Sequence, residues 1–260
     1  MKALGKIIAV HSYKGGTGKT LLSINLSATF AKLGKKVALL DLDFRAPSLS
    51  LLLQIEKVDH WLNDYLNGVC DIDKVLVNLS GRIGNSGQLL VGMANPSVEA
   101  IRDMSSKDRK WEMRALGRLL TLKNSLLNDG EFDYLIFDTS PGLQYSSINA
   151  IVASDIVIVA ATCDRSDVEG TRRMLKDLYD LFDKKTEIVM NKVWLDTAKK
   201  FGKDDMLFKT YDVYEVPLLA TVPCFCDISK AAGTTIFAEE KPDHPFTKIL
   251  SDIANKIEKV

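Results

Sequence analysis

A chain of 260 residues, 46% of them hydrophobic, is long enough to bury one sizeable core. Its 34 basic and 34 acidic side chains cancel, which argues against bulk DNA or an anionic membrane as the main partner and leaves room only for a local basic patch. Cys70, Cys163, Cys224 and Cys226 form no C-x-x-C pair, no apolar run approaches 18 residues, and residues 1–6 lead into a strand-like run without a signal peptide, so a reduced, cytoplasmic, globular protein is expected.

In chain order, short apolar runs predict strands at 7–10 (IIAV), 37–43 (VALLDLD), 88–94 (QLLVGMA), 134–138 (YLIFD), 155–161 (DIVIVAA), 187–191 (EIVMN) and 217–222 (PLLATV). Several are rich in Val and Ile without polar alternation, as strands buried on both faces are. Helical patterns lie between them near 19–33, 57–67, 106–128, 143–152, 166–183 and 245–258. Gly34 falls where a helix C-terminus needs a glycine, and Ser105 with Asp108 reads as a capping box before the 106–128 helix. The alternation predicts an α/β fold: a doubly wound, mainly parallel sheet with helices on both faces, in one domain over 1–260. The charged, irregular stretch 193–212 reads as a surface insertion.

The stretch HSYKGGTGKTLLS (11–23) nearly fits the phosphate-binding pattern G-x-x-x-x-G-K-[ST], with Tyr13 at the place of the first glycine. A strand before it and a helix opening at Lys19 supply the context that gives the pattern a mechanism. Gly15, Gly16, Thr17 and Gly18 form a loop whose glycines let backbone N–H groups converge into an anion nest, with the helix N-terminus adding its partial positive charge. Lys19 is placed to reach the β- and γ-phosphates, and the Thr20 hydroxyl to ligate Mg²⁺. Asp43 and Asp138 each end a strand run at the sheet edge where ligands bind in open α/β folds. Capping of a following turn is the plainer role for each.

The set K-G-G-T-G-K-T, D-L-D-F-R-A-P-S, I-F-D-T-S-P-G-L and V-M-N-K-V resembles the MinD/ParA family of P-loop ATPases with a deviant Walker A motif, in the family's order and over nearly the whole chain. The resemblance implies ATP or ADP with Mg²⁺, and a slow ATPase that dimerises on ATP and is stimulated by a protein partner. It implies that Lys14 is the signature lysine reaching the partner subunit's phosphates, where a second cation beside Lys19 would compensate transferred charge. Asp43 matches the switch I acid that orients the attacking water, and Asp138 the switch II acid of the metal's outer shell. Thr20, Asp43 and Asp138 are thus the metal-site candidates. Gly142 matches the glycine whose N–H reports the γ-phosphate, Asn191 the reader of the adenine edge, and Pro223 the segment that packs on the base. A solvated lysine beside the loop is the plainer reading of Lys14.

The chain departs from the family at Ser140, where relatives often carry proline, and at the C-x-C pair Cys224 and Cys226. Two such pairs across a dimer would suit an iron–sulfur or metal carrier; two small residues lining the base pocket would suit the switch. Lys107, Lys110, Arg114 and Arg118 align on one helix face, with Met113, Leu116, Leu120 and Leu127 expected on the opposite, core-facing side. That stripe is either a solvated face or a partner or nucleic-acid surface. Phe246, Ile249, Leu250, Ile253 and Ile257 form an apolar stripe near the C-terminus, expected to pack on the core rather than on a membrane.

Overall fold

The computed structural model describes residues 5–83, 86–179, 182, 184–194, 216–231 and 235–259. Beyond Trp194, the predicted surface insertion lies outside them. The strands are β1 (Lys6–His11), β2 (Lys36–Leu42), β3 (Leu76–Asn78), β4 (Gln88–Gly92), β5 (Tyr134–Thr139), β6 (Ile156–Ala161), β7 (Lys185–Val193) and β8 (Leu218–Pro223). The helices are α1 (Lys19–Lys32), α2 (Leu49–Leu52), α3 (Leu62–Asn67), α4 (Val98–Ser105), α5 (Arg109–Leu122), α6 (Tyr145–Ala153), α7 (Arg165–Leu178), α8 (Cys226–Lys230), α9 (Phe237–Glu240) and α10 (Pro245–Glu258).

The strands form one sheet in the order β3-β4-β2-β5-β1-β6-β7-β8, parallel throughout except for β3 against β4. Strand alternation sorts the core onto two faces. Ile8 and Val10 of β1, Val37 and Leu39 of β2 and Ile136 of β5 pack with α1 and α10. Ile7, Ala9, Leu40, Leu42, Leu135 and Phe137 point the other way, toward α3, α5 and α6. A third cluster lies under α7, built from Val157, Val159, Met174, Leu175, Ile188 and Met190. β5 and β6 are buried along their full length, and β1 along all but its first residue, as their unbroken apolar runs predict. Parallel pairing brings the carboxyl ends of β1, β2, β5, β6 and β7 to one edge.

Gly34 does close α1: its φ is +83°, its N–H bonds to Ala31 O and the Lys35 N–H to Phe30 O. The C-terminal stripe packs as expected, with Phe246, Leu250, Ile253 and Ile257 buried against α1 and β8. The Lys256 Nζ further ties α10 to β8 through Leu219 O at 2.6 Å.

Three expectations are corrected. The 57–67 helix begins only at Leu62. Ser105 caps nothing; it ends α4, whose own cap is Ser97, and α5 is capped by Asp108, whose carboxylate accepts from the Trp111 N–H at 2.8 Å. The acid at 108 is therefore the cap itself, three residues later than the capping-box reading places it. The core face of α5 is also turned from the predicted one. Trp111, Ala115, Leu119 and Leu122 are buried, whereas Met113 is 62% exposed and Leu120 49%. Lys107 pairs with Asp103, and Arg118 lies over the Tyr65 ring. Trp111, buried and bonded through its Nε1 to Asn67, sets the helix rotation and turns the Met113 and Leu120 side outward. Leu127 is buried as expected, in a π-helical segment (123–128) that extends α5.

Candidate functional site

Between β1 and α1, residues 12–18 form a loop with Gly16 at φ +78° and Gly18 at φ +94°. A Cβ on Gly18 would overlap the Asn191 amide, so only glycine fits that approach. Gly18 occupies the N-cap of α1 without a side-chain cap, and the first turn holds no acid. The helix's leading N–H groups are thus left to an anion. The groove above them has a volume of about 640 Å³ and is lined by Gly15, Gly16, Gly18, Lys19, Thr20 and Asp43 among others.

Lys19 is buried, and its Nζ bonds to Ser12 Oγ at 3.0 Å. Burial lowers its pKa, while Asp138, Asp43 and Asp167 oppose that shift. A largely buried ammonium at the wall of this groove is a strong anion ligand. Asp138 sits at the carboxyl end of β5, where the Ser23 hydroxyl donates to its Oδ1 at 3.1 Å. Desolvation pushes its pKa up to about 6, with the Thr20 and Ser23 hydroxyls and Lys19 pulling it back.

Asp41, which sequence reasoning passed over in favour of Asp43, stands beside Asp138 in the β2–β5 register. By alternation both carboxyls face α1. Burial and the Asp138 charge raise the Asp41 pKa well above the carboxylate range. Asp41 Oδ2 and Asp138 Oδ2 are buried without a hydrogen-bond partner. These two acid oxygens, with the Thr20 hydroxyl beside Asp138, are a donor set of the kind a hard divalent cation takes. The residues present therefore fit Mg²⁺. The first acid of D-L-D was the signal that could have found Asp41.

Asp43 is only partly buried and reaches the groove from the loop after β2. Its Oδ1 accepts from the Ala46 N–H at 3.2 Å and from the Ser140 hydroxyl at 2.8 Å. Ser140, the departure in the D-T-S-P-G-L segment, thus joins the two acid-bearing loops directly. In the same segment the Gly142 N–H donates to Ser12 O at 2.8 Å, and its φ of +75° requires glycine.

Asn191 braces the loop, its amide donating to Thr17 O at 2.7 Å. Lys192, which the sequence reading did not assign, sits at φ +57° and bonds through Nζ to Gly16 O at 2.7 Å. Arg45 and Gln144, also unassigned, line the groove, as do Ile228 and Ser229 of α8. Pro223 ends β8 just before that helix; Cys224 is half-buried and Cys226 exposed. Among the described residues, no group of three or more His, Cys, Asp and Glu side chains is arranged to hold a metal ion.

Lys14 stands apart from this convergence. Its Nζ lies 3.2 Å from Asp164 Oδ1 and 3.1 Å from Ser166 Oγ, at the start of α7, and its side chain is 46% exposed. Bonds from Ser166 and Lys14 lower the Asp164 pKa to about 2, so this carboxyl is ionised at neutral pH. His11, directly before the loop, is buried and kept neutral, its pKa lowered to about 3 by desolvation and by Lys19. The Thr139 hydroxyl donates to Val10 O and so accepts from His11 Nδ1 at 2.8 Å, which sets the tautomer.

A family model described as an AAA domain matches residues 5–191. The septum site-determining protein MinD of Synechocystis is 32% identical over 248 residues, covering 93% of this chain and 85% of that protein. The sporulation initiation inhibitor protein Soj of Bacillus subtilis is 33% identical over 174 residues, covering 66% and 64%. Among solved structures, the cell division ATPase MinD of Pyrococcus furiosus superposes with a TM-score of 0.77 at 25% identity, covering 98% of this chain and 99% of that one. MinD of Pyrococcus horikoshii, solved in complex with Mg-ADP, shares the fold with a TM-score of 0.76 at 23% identity and covers 98% and 97%.

Proposed function

The chain belongs to the MinD/ParA family of P-loop ATPases, and from that premise we propose that it is an ATP-driven dimerisation switch that positions, partitions or activates a protein partner. The observation that carries the reading is the placement of Lys14. A complete phosphate cradle holds its own buried lysine, Lys19, while the second loop lysine points out along α7 to where another subunit could meet it.

In this reading Gly15, Gly16, Thr17, Gly18 and Lys19 hold the phosphates. Thr20 holds Mg²⁺ with Asp138 and Asp41 behind it, and Asp43 orients the attacking water. Magnesium, when bound, supplies charge compensation on the β- and γ-phosphates. Lys14 supplies the second compensating cation to the partner subunit's nucleotide, so turnover depends on pairing. Gly142 exchanges its bond to Ser12 O for the γ-phosphate, and Asn191 and the Pro223 segment frame the base. The Mg-ADP complex of the Pyrococcus horikoshii protein supports the nucleotide and metal assignment. A MinC:MinD complex solved from Aquifex aeolicus supports a protein partner.

Gel filtration with light scattering tests the switch. The wild-type protein runs as a dimer with ATP and a monomer with ADP, Asp43→Ala is trapped as an ATP dimer, and Lys14→Ala stays monomeric. A wild-type protein that remains monomeric in ATP refutes the reading. The exposed Cys226 beside half-buried Cys224 supports a second reading, an iron–sulfur or metal carrier. In that case anaerobically purified protein carries about one ion or cluster per dimer. Loss of the metal in a Cys224→Ser/Cys226→Ser variant would assign it to this pair, and protein free of metal removes the reading.

A further inference from the structure

Glycine is a poor helix former beside alanine, so one buried at an interior helical position calls for a local reason. α7 carries such a residue, Gly170, and its reason lies in the phosphate loop. A Cβ at Gly170 would fall within the Tyr13 ring, on Cδ1, Cε1 and Cζ. The ring therefore occupies the space of the missing side chain, and Gly170 is buried beneath it.

Tyr13 and Lys14 are consecutive, and both grip α7. Lys14 holds Asp164 and Ser166 at the N-terminal end of the helix. The Tyr13 ring sits four residues beyond Ser166, about 6 Å farther along the axis. On the other side, Ser12 is tied to Gly142 through its carbonyl and to Lys19 through its hydroxyl. The Ser12 hydroxyl also donates to Lys14 O at 2.7 Å, so the 13–14 backbone turns beside the phosphate cradle while the ring seats it on the helix. An ammonium on a flexible stem has no such anchor of its own, and an exposed ion pair holds it only weakly.

We infer that Tyr13, seated in the socket left by Gly170, is a positioning residue that holds Lys14 on α7 and off the phosphates of its own subunit. The inference about direction rests on the switch reading, in which Lys14 must serve a neighbouring site; the socket itself does not.

Amine acetylation of the nucleotide-free monomer, read at Lys14 by mass spectrometry, tests the socket without any dimer. Gly170→Ala and Tyr13→Ala raise the Lys14 labelling rate about threefold or more, whereas Tyr13→Phe, which keeps the ring, labels like wild type. The double variant Tyr13→Ala/Gly170→Ala labels no faster than either single variant, because each removes the same contact. Since alanine is the better helix former, Gly170→Ala in the Tyr13→Ala background has an unchanged or higher urea midpoint, which separates a displaced ring from a damaged helix. Where ATP dimerises the protein, the two single variants lose roughly tenfold or more in kcat with ADP affinity kept, as a displaced catalytic group does. Unchanged Lys14 labelling in Gly170→Ala overturns the inference. Raised labelling in a protein that never dimerises on ATP sustains the socket and removes the switch reading.

Discussion

At the scale of single residues, hydrogen bonds that the motif pattern does not specify decide how the site is poised. Ser140 donates to Asp43, and a bond to a charged acceptor is worth roughly 1.5–3 kcal/mol. Ser140→Ala therefore leaves Asp43 less well oriented: kcat for ATP is expected to fall about tenfold with ADP affinity unchanged, and steady-state kinetics beside a binding titration checks both. His11 makes the second residue-scale prediction. Its folded pKa of about 3 lies below the ordinary 6.5, so its contribution to stability is fully present above 6.5 and is lost as pH falls toward 3. The loss approaches about 1.4 kcal/mol per pH unit within that window. Asp138, with its pKa raised to about 6, acts in the opposite sense and favours the folded state as pH falls from 6 toward 4. Comparing urea midpoints of wild type and His11→Gln from pH 7 to 4 isolates the histidine, and the variant should lack its share of the acid slope.

At the scale of elements, the helices differ in how far a sequence pattern reveals the face they bury. α10 shows its stripe plainly because Phe246, Leu250, Ile253 and Ile257 all enter one core. Ile253→Ala there is expected to cost about 2–5 kcal/mol, read as a lower urea midpoint. α5 buries Trp111, Ala115, Leu119 and Leu122 between α3 and α6, and its outward face mixes Met113 and Leu120 with Lys110 and Arg114. Leu119→Ala should cost as much as Ile253→Ala, while Met113→Glu should change stability by no more than about 0.5 kcal/mol. The reverse order would restore the face expected from the stripe. The split between α4 and α5 was similarly hidden. Ser105 and Asp108 have the spacing of a capping box, and only the Asp108 bond to the Trp111 N–H shows which residue starts the second helix.

At the scale of the whole molecule, the sheet order puts β2, β5, β1 and β6 in the middle and leaves β3 and β8 at the edges. Native-state hydrogen exchange should be slowest in β1, β5 and β6, and faster in the three-residue β3, which pairs only with β4. Equal protection across the sheet would contradict this order. The strands of the middle, the fold class and the phosphate loop were all legible in the residues. A buried parallel strand is an unbroken apolar run, and an anion nest with a helix start is built from some ten consecutive residues. Gly18, Lys19 and Thr20 needed no distant partner to be recognised. β3 was not legible, because three residues, two half-buried and one exposed, carry no period. Asp41 was visible in D-L-D, but its importance depends on the β2–β5 register that sets it beside Asp138. The bond from Ser140 to Asp43, the seat of Tyr13 on Gly170 and the turn of Lys14 toward Asp164 join residues 97 to 157 positions apart. The sequence by itself determined the chemistry the loop can hold, because nest, helix dipole and lysine are local. Only the tertiary structure decided where each charged group points, because those directions are set by side chains that meet across strands and helices.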